Sequence, residues 1–308
     1  MRVLVTEMGI DMEKELEIEG GKLCYQVCGD EITVKSCQVH NSKVKLPDKI
    51  EDLSVTKLHK KAFLSSKLLK EVWLPKGLKE IGDWAFAYCS ALESVWVPGE
   101  EFTIGKDIFK DCNQLSRICR LGADGLMEEQ VGRLLGVVPV RLEADYLFTP
   151  AQAGDEQWLK RFDDKLKEFL ALPDEDGFTK MVYCGEEDIV ANVEYYLAER
   201  RREKARLCFL RLINHVGLDE KFAGELSAYL AGKTKGCPSE AAWEVVFGEH
   251  GNEQAYYDVF TKSGCLTEEN YDVLLQQMGE NYPEMKGYLM RYKSQEMEKA
   301  DFFDALSL

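Results

Sequence analysis

The sequence predicts an α+β protein: an N-terminal β-solenoid of short repeats with a hairpin cap, followed by an all-α helical array. Three observations predict it. Ala62-Phe63, Ala85-Phe86 and Ile108-Phe109 recur at a step of 23 residues. Apolar residues alternate on either side of Gly20-Gly21, ahead of that repeat. Beyond about residue 122 the repeat stops and apolar residues return at helical spacing. A short fixed period marks stacked units, none of which buries its apolar face alone.

The N-terminal segment Leu16-Glu-Ile-Glu-Gly-Gly-Lys-Leu-Cys-Tyr-Gln-Val27 reads as a hairpin, and Ile32-Thr-Val34 as a third strand. This small sheet, residues 1–40, covers the open end of the solenoid. The repeats themselves occupy residues 41–122. Leu69, Leu92 and Leu115 keep the 23-residue step, as do Val72, Val95 and Ile118, and Leu74, Val97 and Arg120. Leu58, Ile81 and Ile104 follow it too. Each Leu-x-x-Val-x-Val pattern starts an extended strand, and Pro75 and Pro98 end two of them, because proline lacks the N–H that a ladder needs. Phe63, Phe86 and Phe109 fall in one slot per turn and are expected to form a continuous column in the core.

Leu92-Glu-Ser-Val-Trp-Val-Pro98, Ile81-Gly-Asp-Trp-Ala-Phe-Ala-Tyr-Cys89 and a degenerate Ile108-Phe-Lys-Asp-Cys112 resemble the BspA-type leucine-rich repeat. Residues 43–58 resemble the opening unit of that family, and the resemblance covers roughly residues 22–121. It implies a leucine-rich-repeat solenoid acting as a binding scaffold. Three positions depart from the pattern. His59 stands where Gly82 and Gly105 stand, Ser66 replaces the cysteine, and the third repeat lacks its proline. End-of-array drift of this kind is usual in capping units.

Residues 123–308 read as an α-helical domain, with helices expected over 157–172, 187–215, 220–230, 240–247, 253–261 and 269–278. Gly217, Gly248, Gly264 and Gly279 punctuate them, and Thr267 is placed to cap the last. Short helices with short loops suggest stacked antiparallel pairs.

Charge separates the two parts. Residues 1–122 hold 18 basic and 19 acidic side chains, and residues 123–308 hold 21 and 36. An acidic helical part argues against general binding to nucleic acid or anionic membranes. No apolar stretch reaches the ~20 residues of a membrane span, and the N-terminus shows no leader pattern, so a cytoplasmic location is expected. In that setting the ten cysteines are read as free thiols, with Cys89 and Cys112 as small core residues.

Candidate chemistry is sparse. Cys24, Cys28, Cys37 and His40 are the best metal candidates, but Cys24 and Cys28 on one strand lie roughly 13 Å apart. A cysteine nucleophile would pair Cys184, Cys208, Cys237 or Cys265 with His215 or His250. Cys208 and His215 are two helical turns apart, about 10 Å. Asp174-Glu-Asp-Gly177 lacks the ligands of a calcium loop, and no phosphate-loop or hydrolase motif occurs. Arg200, Arg201, Arg202, Lys204, Arg206 and Arg211 form a dense basic run, read as a solvated helix face or an interdomain contact, with a phosphate or acidic-peptide site as the alternative. No cofactor or metal is expected.

The favoured surface lies on the sheet. Side chains alternate along a strand, so residues flanking the central Val point outward. These are Glu71 and Trp73, Ser94 and Trp96, and Arg117 and Cys119, with Lys45 one rung earlier. Two adjacent outward tryptophans are a binding patch or a seat for another part of the chain. The expected function is non-catalytic protein–protein interaction through a concave face bearing Trp73, Trp96, Glu71, Ser94, Arg117 and Lys45. The alternatives are an enzyme or regulator in the helical part with the repeats as recognition arm, and a surface adhesin.

Overall fold

The 23-residue period reappears as strand register. Glu71 pairs with Ser94 and Ser94 with Arg117; Val72, Val95 and Ile118 follow, and so do Trp73, Trp96 and Cys119. Each strand is only a few residues long. Its stability therefore comes from identical neighbours above and below. The computed structural model describes residues 13–122, 125–126, 128–178, 193–232 and 240–297. The chain divides into two compact units, Met1–Lys165 and Leu166–Leu308.

The first unit holds two sheets. One runs β1 (Lys14–Ile18), β2 (Gly21–Cys28), β3 (Glu31–Val39), β6 (Leu53–Leu58), β8 (Glu80–Ile81) and β10 (Thr103–Ile104), with β5 (Lys49–Ile50) paired to β6. The other runs β12 (Gly125–Leu126), β11 (Arg117–Gly122), β9 (Ser94–Pro98), β7 (Glu71–Trp73) and β4 (Lys43–Lys45). The solenoid pairs are parallel. The expected hairpin is β1 against β2, antiparallel. Strand β3 is antiparallel to β2 and parallel to β6, so the cap passes directly into the first solenoid rung.

Between the sheets lies the core. Phe63 stacks on Phe86 at 5.0 Å and Phe86 on Phe109 at 5.5 Å, the column expected from their spacing. The cysteines of the repeat do more than fill space. Cys89 Sγ donates to the Phe63 carbonyl and Cys112 Sγ to the Phe86 carbonyl, each at 3.0 Å. Each thiol thus satisfies a buried backbone acceptor of the preceding rung.

A further backbone ladder runs along the turns. Lys61, Trp84 and Asp107 take φ of 64°, 60° and 51°; Ser65, Tyr88 and Asp111 take 60°, 62° and 57°. Left-handed backbone costs a non-glycine residue about 1–2 kcal/mol. Here four of these residues donate across the rungs. Lys61 N–H reaches the Asp83 carbonyl, Trp84 the Lys106 carbonyl, Ser65 the Ala87 carbonyl and Tyr88 the Lys110 carbonyl.

After the last rung, α1 (Glu129–Val137) lies along the backbone of β11. A Cβ on Gly132 would sit 2.5 Å from the Ile118 carbonyl oxygen, and one on Gly136 would sit 2.8 Å from Arg117 N. Only glycine allows this approach. Phe148 then closes the phenylalanine column edge-on at 5.5 Å from Phe109, and Trp158 Nε1 donates to the Leu147 carbonyl at 2.9 Å. The departures of the third repeat have local causes. Arg120 occupies the slot of Leu74 and Val97, and its guanidinium donates to the Ala151 carbonyl at 3.0 Å. Without the proline, β11 continues to Gly122 and pairs with β12. The change of repeat character at 122/123 and the division into compact units are therefore different boundaries. The latter falls within α2 (Glu156–Ala171).

The second unit is helical. α3 (Val193–Ile213) packs against α4 (Glu220–Gly232), against α5 (Ala241–Trp243), which continues as a π-helical turn over Glu244–Glu249, and against α6 (Gln254–Lys262). α7 (Glu268–Met278) and α8 (Pro283–Tyr292) complete it. Thr267 caps α7 as expected, through a reciprocal capping box with Asn270. Much of the basic run is paired within this unit, while Arg201 stays exposed. Arg201 and Lys204 hold Asp174 at 2.8 Å, Arg202 holds Glu244 at 3.0 Å, and Arg206 takes Glu249 and Glu203. Arg211 is wholly buried and donates to the Asn214 and Val216 carbonyls. No helix among the described residues is long and apolar enough to cross a membrane.

Candidate functional site

The outward positions of the second sheet form two parallel rows. One is Lys45, Trp73, Trp96 and Cys119; the other is Lys43, Glu71, Ser94 and Arg117. Between them Val44, Val72, Val95 and Ile118 are wholly buried, so the alternation read from the sequence sets the facing. The two indoles are half-buried and stacked, with centroids 5.6 Å apart and planes 11° from parallel. Such a pair contributes about 0.5–1.5 kcal/mol beyond its burial. Each indole uses one face on the other. Trp96 Nε1 is buried without a hydrogen-bond partner among the described residues.

The other candidate residues differ in what they present. Lys45 is exposed, and Arg117 is half-buried. Glu71 is held by Lys43 at 2.9 Å, a part-exposed pair worth about 0–1 kcal/mol. Ser94 is only 6% exposed, so it forms floor rather than rim. The sequence reading did not include Glu129, at the start of α1. Glu129 pairs with Arg133 at 2.8 Å, which holds its carboxyl below the usual range. Burial pushes the Cys119 thiol up, and the Arg117 charge opposes that shift. Nothing in the residue types 123–137 announces that a helix starts beside the sheet.

The metal and nucleophile candidates are dispersed. In the β2–β3 pair Leu23 opposes Cys37 and Cys24 opposes Ser36, so Cys37 is inward and Cys24 outward. Cys28 is exposed at the end of β2. Cys208 and Cys265 are buried, and Cys184 and Cys237 lie outside the described residues. No cluster of three or more histidine, cysteine or acidic side chains placed to hold a metal occurs among the described residues.

A family model described as the BspA type leucine rich repeat region matches residues 35–120, in 6 copies. Residues 35–120 are a BspA-type leucine-rich repeat region. Solved structures of bacterial leucine-rich repeat proteins are also similar to about a third of the chain. A T. pallidum leucine rich repeat protein is 28% identical, covers 34% of this chain and 49% of its own, and has a TM-score of 0.31. A leucine-rich repeat protein from Bacteroides capillosus is 22% identical over 33% of this chain and 78% of its own, TM-score 0.30. A leucine rich cell surface protein from Faecalibacterium prausnitzii is 18% identical over 36% of this chain and 31% of its own, TM-score 0.29. The chain thus spans about half the length of the T. pallidum protein. No curated protein matches the chain. The leucine-rich repeat region supplies both rows of the tryptophan face, since Lys43 through Cys119 lie inside it.

Proposed function

We propose that this chain is a non-catalytic protein-interaction module. Its contact surface is the outward face of β4, β7, β9 and β11, with Trp73 and Trp96 at the centre and Lys45, Glu71, Ser94 and Arg117 around them. A leucine-rich repeat region suggests such a role in general, and the stacked indole pair supports this particular face. Two half-buried tryptophans, locked in rotamer by each other and held on rigid strands, lose little entropy when a partner covers them. Tryptophan and arginine are the residues that most often carry binding energy at the centre of an interface. Lys45 and Arg117 at the two ends give the patch a polar rim.

Affinity capture from the source cell's lysate tests the reading. The wild-type chain and the double variant Trp73→Ala/Trp96→Ala are used as matched baits. The expected result is a partner retained by the wild type and lost by the variant, with the melting temperature lowered by only a few degrees as the indole stack is lost. A variant that melts much earlier, or that keeps every partner, rejects this face as the contact surface.

A further inference from the structure

The first sheet also has an outward face, and its chemistry is different. Gln26, Thr33, Lys57, Glu80 and Thr103 align across five strands in one polar row. The next outward positions are Lys35, His59, Gly82 and Gly105. At Gly82 and Gly105 the rungs approach so closely that a Cβ would fall 2.5 Å from Lys60 N and 2.4 Å from Asp83 N. The floor there is bare backbone, and the result is an open groove of about 480 Å³ running across the strands. Neighbouring strands are ~4.8 Å apart, so five strands give it a length of roughly 19 Å, matching about six extended residues.

The groove's acids are already engaged. Glu80 pairs with Lys57 at 3.0 Å, and Asp83 Oδ1 accepts the backbone N–H of Lys106 at 2.7 Å. Lys35 and Lys60 have no acidic partner among the described residues, and His59 lines the groove with them. Lys35, Lys57 and Lys60 against Glu80 and Asp83 leave the lining one net positive charge, on a chain of net charge −16. A long polyanion meets the repulsion of the whole molecule, whereas a short acidic segment meets only the groove. We infer that this groove is a second binding site, taking an extended, carboxylate-rich peptide segment of a partner protein on Lys35 and Lys60. It is independent of the tryptophan face.

Fluorescence anisotropy of a labelled hexaglutamate peptide with the full chain tests it, at about 50 mM salt and again at about 300 mM. Saturable binding is expected, weaker at the higher salt. Lys35→Glu with Lys60→Glu is expected to weaken it by about tenfold or more, and Trp73→Ala/Trp96→Ala to leave it unchanged. Both lysines point toward solvent, so circular dichroism should show an intact fold; if it does not, Lys35→Gln/Lys60→Gln replaces that variant. No binding, equal binding by the lysine variant, or equal binding of hexalysine overturns the site. A hexanucleotide that competes as well as the peptide overturns the peptide assignment. Loss of hexaglutamate binding in the tryptophan variant overturns the independence of the two faces.

Discussion

Phe86 shows how one residue carries the period into energy. It is wholly buried, with Phe63 stacked on one face and Phe109 on the other. Phe86→Ala leaves a cavity that neither neighbour can fill without breaking its own stack. Urea unfolding should show a loss of about 3–5 kcal/mol. A loss below about 1 kcal/mol would mean that the column is not what holds the rungs together. Trp84 is the opposite case. It occupies left-handed backbone at φ 60°, its ring lies between Lys61 at 5.3 Å and Lys110 at 5.8 Å, and its N–H serves the next rung. The residue type gives no hint of that conformation, because lysine, tryptophan and aspartate share the position.

At the scale of elements, α1 and α4 each contain a glycine that substitution would test in opposite directions. In α1, a Cβ on Gly132 meets the Ile118 carbonyl oxygen, a backbone atom that cannot swing aside. Gly132→Ala should push the helix off β11 and destabilise the protein by about 1–3 kcal/mol. In α4, Gly224 has nothing within 4 Å of its would-be Cβ. Gly224→Ala should stabilise by about 0.5–1 kcal/mol through helix propensity alone. Denaturant midpoints of the two variants, measured side by side, check the sign of each. Equal effects would mean that α1 does not depend on close approach to the strand.

For the whole molecule, several buried groups push stability the same way with pH. Burial raises the Cys37 thiol to about 12 and the Tyr288 phenol to about 12, and it raises Cys208 and Tyr257 as well. In the unfolded chain these groups ionise near ~8.5 for cysteine and ~10 for tyrosine. Above those values the unfolded state has released protons that the folded state still holds, so stability falls as pH rises. Their contribution is complete below about pH 8 and is lost progressively toward pH 12. Thermal unfolding under reducing conditions should therefore give a lower melting temperature at about pH 10 than at about pH 8. A flat profile would mean that these side chains are not buried in the native state.

Much of this was legible in the sequence alone, and for one reason. In a solenoid the neighbour in space is the residue one repeat away, so the period of 23 set register, facing, the phenylalanine column and the adjacency of Trp73 with Trp96. Thr267 was equally readable, since capping is a contact within four residues. What lay beyond the reach of pattern was decided in three dimensions. The left-handed turn residues answer to carbonyls of the adjacent rung rather than to their own residue type. Helix α1 needs Gly132 because of Ile118, and Arg120 fills a valine's slot because the Ala151 carbonyl needs a donor. The groove on the first sheet exists because Gly82 and Gly105 leave bare backbone beside Lys35 and Lys60, residues that share no periodic signature. Periodicity reports contacts that repeat; a contact made once, between residues of unrelated type, appears only when the chain is folded.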